Sequence, residues 1–164
     1  SAFLDSVQES HGARYKYEPL DPPQRVTAAL TAEGLLCRQW LGWPKSHPPM
    51  LDGVAYLLDG ARKPEWSGGR RNVYAWYYTS QMFHNLGGEP WEQWYPPVRD
   101  LIVRHQINSG SGKSPNDVRG SWHPNQPPGS PEEYGEKAGR LYVTVMCILI
   151  LETPYRHQPL YAAE

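Results

Sequence analysis

Leu101-Ile102-Val103-Arg104-His105-Gln106, followed after a polar loop by Gly120-Ser121-Trp122 and then by the apolar segment Leu141 to Leu151, is the clearest copy of a weak internal repeat. A more degenerate copy precedes it: Phe3-Leu4-Asp5-Ser6-Val7-Gln8, then Gly12-Ala13-Arg14-Tyr15, then the apolar run from Val26 to Leu41. An apolar helix end, a glutamine, a small residue with an aromatic, and another apolar helix recur in that order. Such recurrence predicts stacked helix pairs, because one pair cannot bury its apolar face without a neighbour. The fold expected is all-α, built of antiparallel helix-pair repeats.

Working outward, Val26 to Leu41 reads as a largely buried helix with Glu33, Arg38 and Gln39 as its polar surface and Gly42 as its end. Leu51, Val54, Ala55 and Leu58 recur at i, i+3, i+4 and i+7, which predicts a covering helix packed through that face. Asn72 is a good N-cap for a second buried helix from Val73 to Leu86, stopped by Gly87-Gly88. Gly42 and Gly87 stand 45 positions apart, a length that suits one helix pair with its turns. The partner helix carries Trp91, Trp94, Val98, Leu101, Ile102 and His105, with Pro96-Pro97 predicting a break and a new start near Pro97. Residues 108–139 form a long Gly/Pro/Ser-rich loop, either functional or partly mobile, and a last helix is expected from Gly139 to Thr153, stopped by Pro154. Ala2 to Glu9 resembles the last turns of a helix, so residues 1–164 read as a single helical-repeat domain within a longer protein.

The 164 residues carry a formal net charge of -1 with 39% hydrophobic content. That excludes the basic field a nucleic-acid partner requires. Arg62, Lys63, Arg70 and Arg71 bracket one loop, but Glu65 sits among them and the cluster reads as solvated loop. The apolar run Leu141 to Leu151 is shorter than the roughly 20 residues a membrane span needs, so no membrane span is expected. Cys37 and Cys147 each lie in an apolar stretch and read as free, buried thiols.

Leu101-Ile102-Val103, Gln106 and Gly120-Ser121-Trp122 resemble the QW motif of the squalene cyclase and prenyltransferase repeat family, with a long insertion between Gln and Gly. Tyr74 to Gly88, followed by Trp91, Trp94, Thr144 and Tyr155-Arg156, also resembles repeat proteins of unknown activity in that group. The resemblance implies an alpha/alpha toroid of inner and outer helices, of which this chain supplies about half. It further implies that Gln106, Gly120 and Trp122 are structural residues tying neighbouring units together. Uncovered repeat ends imply a partner, either the remainder of the polypeptide, another protein chain or a second copy.

Chemistry of the family kind lacks its residues. Asp52, Asp59 and Asp100 are singletons and Glu132-Glu133 is a loop pair, so neither an Asp-rich diphosphate site nor an acid and base pair is visible. Cys37 and Cys147 have no His or Asp at zinc-ligand spacing, so no metal or other cofactor is expected. Ser80 and His84 lie one turn apart, a spacing that is more often packing than catalysis. Tyr77, Ser80, Gln81 and His84 fall at i, i+3, i+4 and i+7 on a helix expected to be interior, where polar groups need partners, water or a ligand. The ligand-site expectation is therefore Trp76, Tyr77, Gln81, His84 and Tyr142, with no catalytic residue. The functional expectation is a non-enzymatic repeat module binding a partner or ligand on its concave face or long loop. The alternative is a fragment or degenerate relative of a terpenoid cyclase or prenyltransferase.

Overall fold

Asn72 and Gly87 delimit the helix around which the other elements pack. The computed structural model describes residues 1–67, 69, 71–109, 118–129 and 131–161. Helices α1 (Ala2–Val7), α2 (Ala28–Trp40), α3 (Pro48–Leu58), α4 (Val73–Leu86), α5 (Gly88–Arg104) and α6 (Gly135–Arg156) make the fold all-α apart from a two-stranded antiparallel hairpin, β1 (Gln8–Glu9) with β2 (Arg14–Tyr15). At the start of α4 the Asn72 side chain accepts from the Ala75 N–H at 2.8 Å, and Gly87 ends the helix at φ +65°, a backbone conformation that favours glycine. Helices α2 and α6 flank α4 on two sides, α5 folds back on α4, and α3 covers α2. Indole N–H donation from Trp94 to Ser80 Oγ at 2.9 Å, with Trp91 against His84, registers α5 antiparallel to α4.

Helix α2 lies within the expected span but is rotated relative to its sequence reading. Arg38 and Gln39, expected on the surface, are buried, whereas Cys37, Trp40 and Leu41 face outward. Specific partners outweigh side-chain polarity here. Arg38 donates to Tyr15 Oη at 2.9 Å and to Gln8 Oε1 at 3.1 Å, and pairs with Asp5. Gln39 donates to the Met82 carbonyl and accepts from Asn85 Nδ2, both at 3.0 Å. The buried face of α3 is Met50, Gly53 and Leu57, and Leu51 and Ala55 are exposed, correcting the face expected from apolar periodicity. A Cβ at Gly53 would come within 2.4 Å of Leu35, so the contact centres on a residue whose lack of a side chain permits close approach.

Helix α5 runs unbroken through Pro96 and Pro97, against the expected interruption. The two prolines leave the carbonyls of Glu92 and Gln93 without their helical donors, but both residues are exposed and water can meet them. Trp94, Tyr95 and Val98, all buried, anchor the helix on either side. Helix α6 is kinked at the non-helical Gly139 (φ +74°), where the expected helix starts, after a short turn from Gly135, and it continues past Pro154 to Arg156. Pro154 removes one hydrogen bond close to the helix end, too little to terminate it. Within the 108–139 loop, residues 110–117 lie outside those described; 118–129 and 131–134 form turns.

The two sequence copies share one contact. The Tyr15 N–H donates to Thr31 Oγ1 in α2 at 3.2 Å, and the Trp122 N–H donates to Thr144 Oγ1 in α6 at 3.3 Å. Trp122 is 1% exposed and its indole N–H reaches the Ile102 carbonyl of α5 at 2.8 Å. Gln106 donates to the Gly120 carbonyl at 3.1 Å, inside its own loop. After α6 the tail returns across the molecule: the Leu160 N–H donates to Asn85 Oδ1 at 3.2 Å, and the Tyr161 hydroxyl donates to the Trp43 carbonyl. Cys37 and Cys147 are free thiols, and the burial expected for Cys37 is corrected to exposure, since it lies one position before the buried Arg38 on the opposite edge of α2.

Two substitutions probe this packing. Trp122→Ala should lower the unfolding free energy by about 3 to 5 kcal/mol, read by chemical denaturation. At Gly34 a Cβ would fall within 2.4 Å of the buried Tyr15 ring, so Gly34→Ala should cost about 1 to 3 kcal/mol through overpacking, with no loss of helical circular dichroism.

Candidate functional site

Successive residues of α4 point about 100° apart, and this separates the side chains expected to form one site. Trp76 is buried toward Trp66, ring centroids 6.3 Å apart, whereas Tyr77 packs on Tyr78 at 5.1 Å on a different side. His84 is buried against Trp91 at 5.0 Å, and burial, reinforced by His157, lowers its pKa and favours the neutral ring. Ser80 Oγ is engaged by Trp94. Tyr142 lies over Tyr134 at 6.4 Å, and Gln81 is half-buried. The five expected ligand residues therefore do not converge on one cavity: Trp76 lines one, Tyr142 another, and Tyr77, Gln81 and His84 line neither.

The cavity that Trp76 lines, about 470 Å³, lies at the start of α4 between Arg71 and Glu132. Arg71, assigned no role from the basic cluster, is 1% exposed and holds the distant 123–126 segment by its carbonyls: His123 at 3.2 Å, Gln126 at 3.1 Å and Pro124. Glu132, also 1% exposed, accepts from the Val73 N–H at 3.3 Å with one oxygen and from the Tyr134 N–H at 2.9 Å with the other. Burial pushes its carboxyl above the usual carboxylate range, against those two donors and Arg71. Glu133 turns away to Asn72. The loop pair is thus divided between two structural tasks, and Glu132 satisfies an N–H that the first turn of α4 leaves without a helical partner.

The second cavity, about 620 Å³, opens where α2, α4 and the 131–142 segment meet. Tyr74, Tyr134 and Tyr142 form its walls, in edge-to-face array: Tyr74 to Tyr134 at 5.8 Å and 71°, Tyr134 to Tyr142 at 6.4 Å and 85°. Glu33 enters from α2. Its Oε1 and the Tyr142 hydroxyl are both buried without a hydrogen-bond partner among the described residues. Burial raises the Glu33 pKa, with the Tyr74 hydroxyl offsetting part of the effect, and the Tyr74 phenol is raised by burial, by Tyr78 and by Glu33. Burial also raises Tyr142, so the phenols remain neutral donors near pH 7. Among the described residues the lining offers carboxylates, phenols, the Thr27 hydroxyl and the Asn72 amide but no thiol, imidazole or amine. Among the described residues no group of three or more His, Cys, Asp or Glu side chains is arranged to hold a metal ion, and no helix is long and apolar enough to cross a membrane.

The apolar pattern of α2 places Glu33 on the surface, whereas the fold half-buries it. A lone acid between Leu30 and Cys37 on one helix face was the available signal, and the Tyr74-Tyr77-Tyr78 run was the other. Comparison with known proteins returns no match: no family model, curated protein or solved structure is similar to this chain.

Because Glu33 has its pKa raised in the folded chain, it binds its proton more tightly folded than unfolded, and its charged form costs stability that is recovered as pH falls through the folded value. Glu33→Gln should therefore raise the melting temperature at pH 7, the advantage shrinking toward pH about 4, where wild type is protonated too. Arg71→Ala strands several buried carbonyls and should lower stability by about 3 kcal/mol or more, measured by urea unfolding.

Proposed function

We propose that this chain is a non-enzymatic helical-repeat module that binds a ligand on the α2–α4–α6 side, at the tyrosine cavity. The observation that carries this reading is the pair of unmet polar atoms, Glu33 Oε1 and the Tyr142 hydroxyl, lining the same space. A buried polar group without a partner costs roughly 1 to 3 kcal/mol, a penalty a ligand offering complementary groups would remove. Aromatic walls with a few convergent polar groups are the usual make-up of a small-molecule site. Among its described lining residues there is no Ser, Cys or His to pair with a carboxylate as nucleophile or base, which supports binding over turnover.

A second reading, a fragment or degenerate relative of a terpenoid cyclase or prenyltransferase, draws on the shared aromatic-to-threonine contact at Tyr15–Thr31 and Trp122–Thr144 and on the row of α2, α4 and α6 with α3 and α5 outside it. On that reading the rest of a toroid would come from further chain or from another protein. A protein-observed NMR screen of small fragments separates binding at this cavity from the alternatives. Shifts centred on Tyr74, Tyr134 and Tyr142 are expected. Shifts centred on the Arg71–Glu132 cavity, or none at all, would reject the tyrosine cavity as the site.

A further inference from the structure

We infer that the tyrosine cavity selects an organic cation, specifically a methylated ammonium head that keeps one N–H, as in a protonated dimethylalkylamine. The inference rests on the cavity being the binding site and adds the chemical class of its ligand. Charge comes first: among the described residues the ionisable lining groups other than tyrosine are Glu33 and Glu133, and no Lys, Arg or His contributes to the wall. An anion would face the half-buried carboxylate of Glu33 and, at the exposed rim, that of Glu133, which disfavours anionic ligands.

Shape and chemistry of the walls narrow the choice among the rest. Tyr74, Tyr134 and Tyr142 line the space and meet at steep interplanar angles of 71° and 85°, so the rings around it carry faces in more than one orientation. Such faces attract a weakly hydrated cation through the ring quadrupole. They offer nothing to a small metal ion, which needs several oxygen ligands to replace its water shell. A neutral apolar ligand would fill the space but leave Glu33 Oε1 unmet. An ammonium bearing methyl groups and one N–H meets both demands, with its methyls against the rings and its N–H donated to Glu33. The aliphatic side of Leu30 accommodates the remaining alkyl chain.

The test compares protonated N,N-dimethylethanolamine with 3-methylbutan-1-ol, its neutral carbon isostere, by NMR titration of the folded chain at pH 7. The amine should perturb Tyr74, Tyr134 and Tyr142, and the alcohol should bind at least about ten-fold more weakly, the scale of a desolvated cation–π and charge contribution. Glu33→Gln should weaken the amine about ten-fold and leave the alcohol unchanged. Tyr134 is 42% exposed, so Tyr134→Leu removes a ring with little risk to folding and should also weaken the amine. Equal binding of amine and alcohol, with no effect of Glu33→Gln, would overturn the cation inference and leave the cavity standing as a binding site. Amine binding that is untouched by both substitutions, or no binding by either probe, would also overturn it; the fragment screen then decides independently whether the cavity binds anything.

Discussion

The buried guanidinium of Arg71 is the constraint from which the rest of the architecture follows. Just before α4, it gathers the carbonyls of His123, Pro124 and Gln126 and so fixes a Gly- and Pro-rich segment with little apolar surface of its own. That segment delivers Glu132 to the first turn of α4, Glu133 to Asn72, and Tyr134 to the wall of the tyrosine cavity. One desolvated cation, compensated by carbonyl dipoles and by Glu132, thus couples a structural loop to a candidate binding surface. Stacking of Arg71 over Trp66 at 4.7 Å adds the shape that a lysine lacks.

What the sequence made legible follows what is local. Asn72 and Gly87 act through their own backbone and side chain, and they mark α4 to the residue. Helix α2 was readable in extent but not in orientation, because Arg38 and Gln39 are buried by partners 23 to 46 positions away, which periodicity cannot register. In α3 the decisive residue is Gly53, which carries no hydropathic signal at all. Pro96 and Pro97 misled because helix breaking depends on whether the freed carbonyls reach water, a property of the tertiary surface. The site was half visible in its run of tyrosines. Glu33 could not be paired with Tyr142 from the sequence, since the two are more than a hundred positions apart and meet only after α2 and α6 have both packed on α4.

The two cavities divide the labour of the acidic residues. Glu132 is desolvated but has a donor on each oxygen, so its burial is offset by the bonds it makes. Glu33 is desolvated with one oxygen bare. Glu132 is fully buried and satisfied whereas Glu33 is half-buried with one oxygen unmet, which distinguishes a carboxylate retained for the fold from one whose retention the fold alone does not explain. The thiols differ in access: Cys147 is sealed in the core and Cys37 is exposed, although burial raises the pKa of both.

Linear helical arrays ordinarily lose structure from their outermost units, each held by one neighbour only. Here the C-terminal tail leaves α6, crosses the end of α4, and fastens to Asn85 and to the Trp43 carbonyl beyond α2. Asn85 is itself joined to Gln39, so the segment after α6 is tied through α4 to α2. The consequence is mechanical. Tension applied to the C-terminal segment would strain its hydrogen bonds to Asn85 and to the Trp43 carbonyl before it pulled on the body of α6.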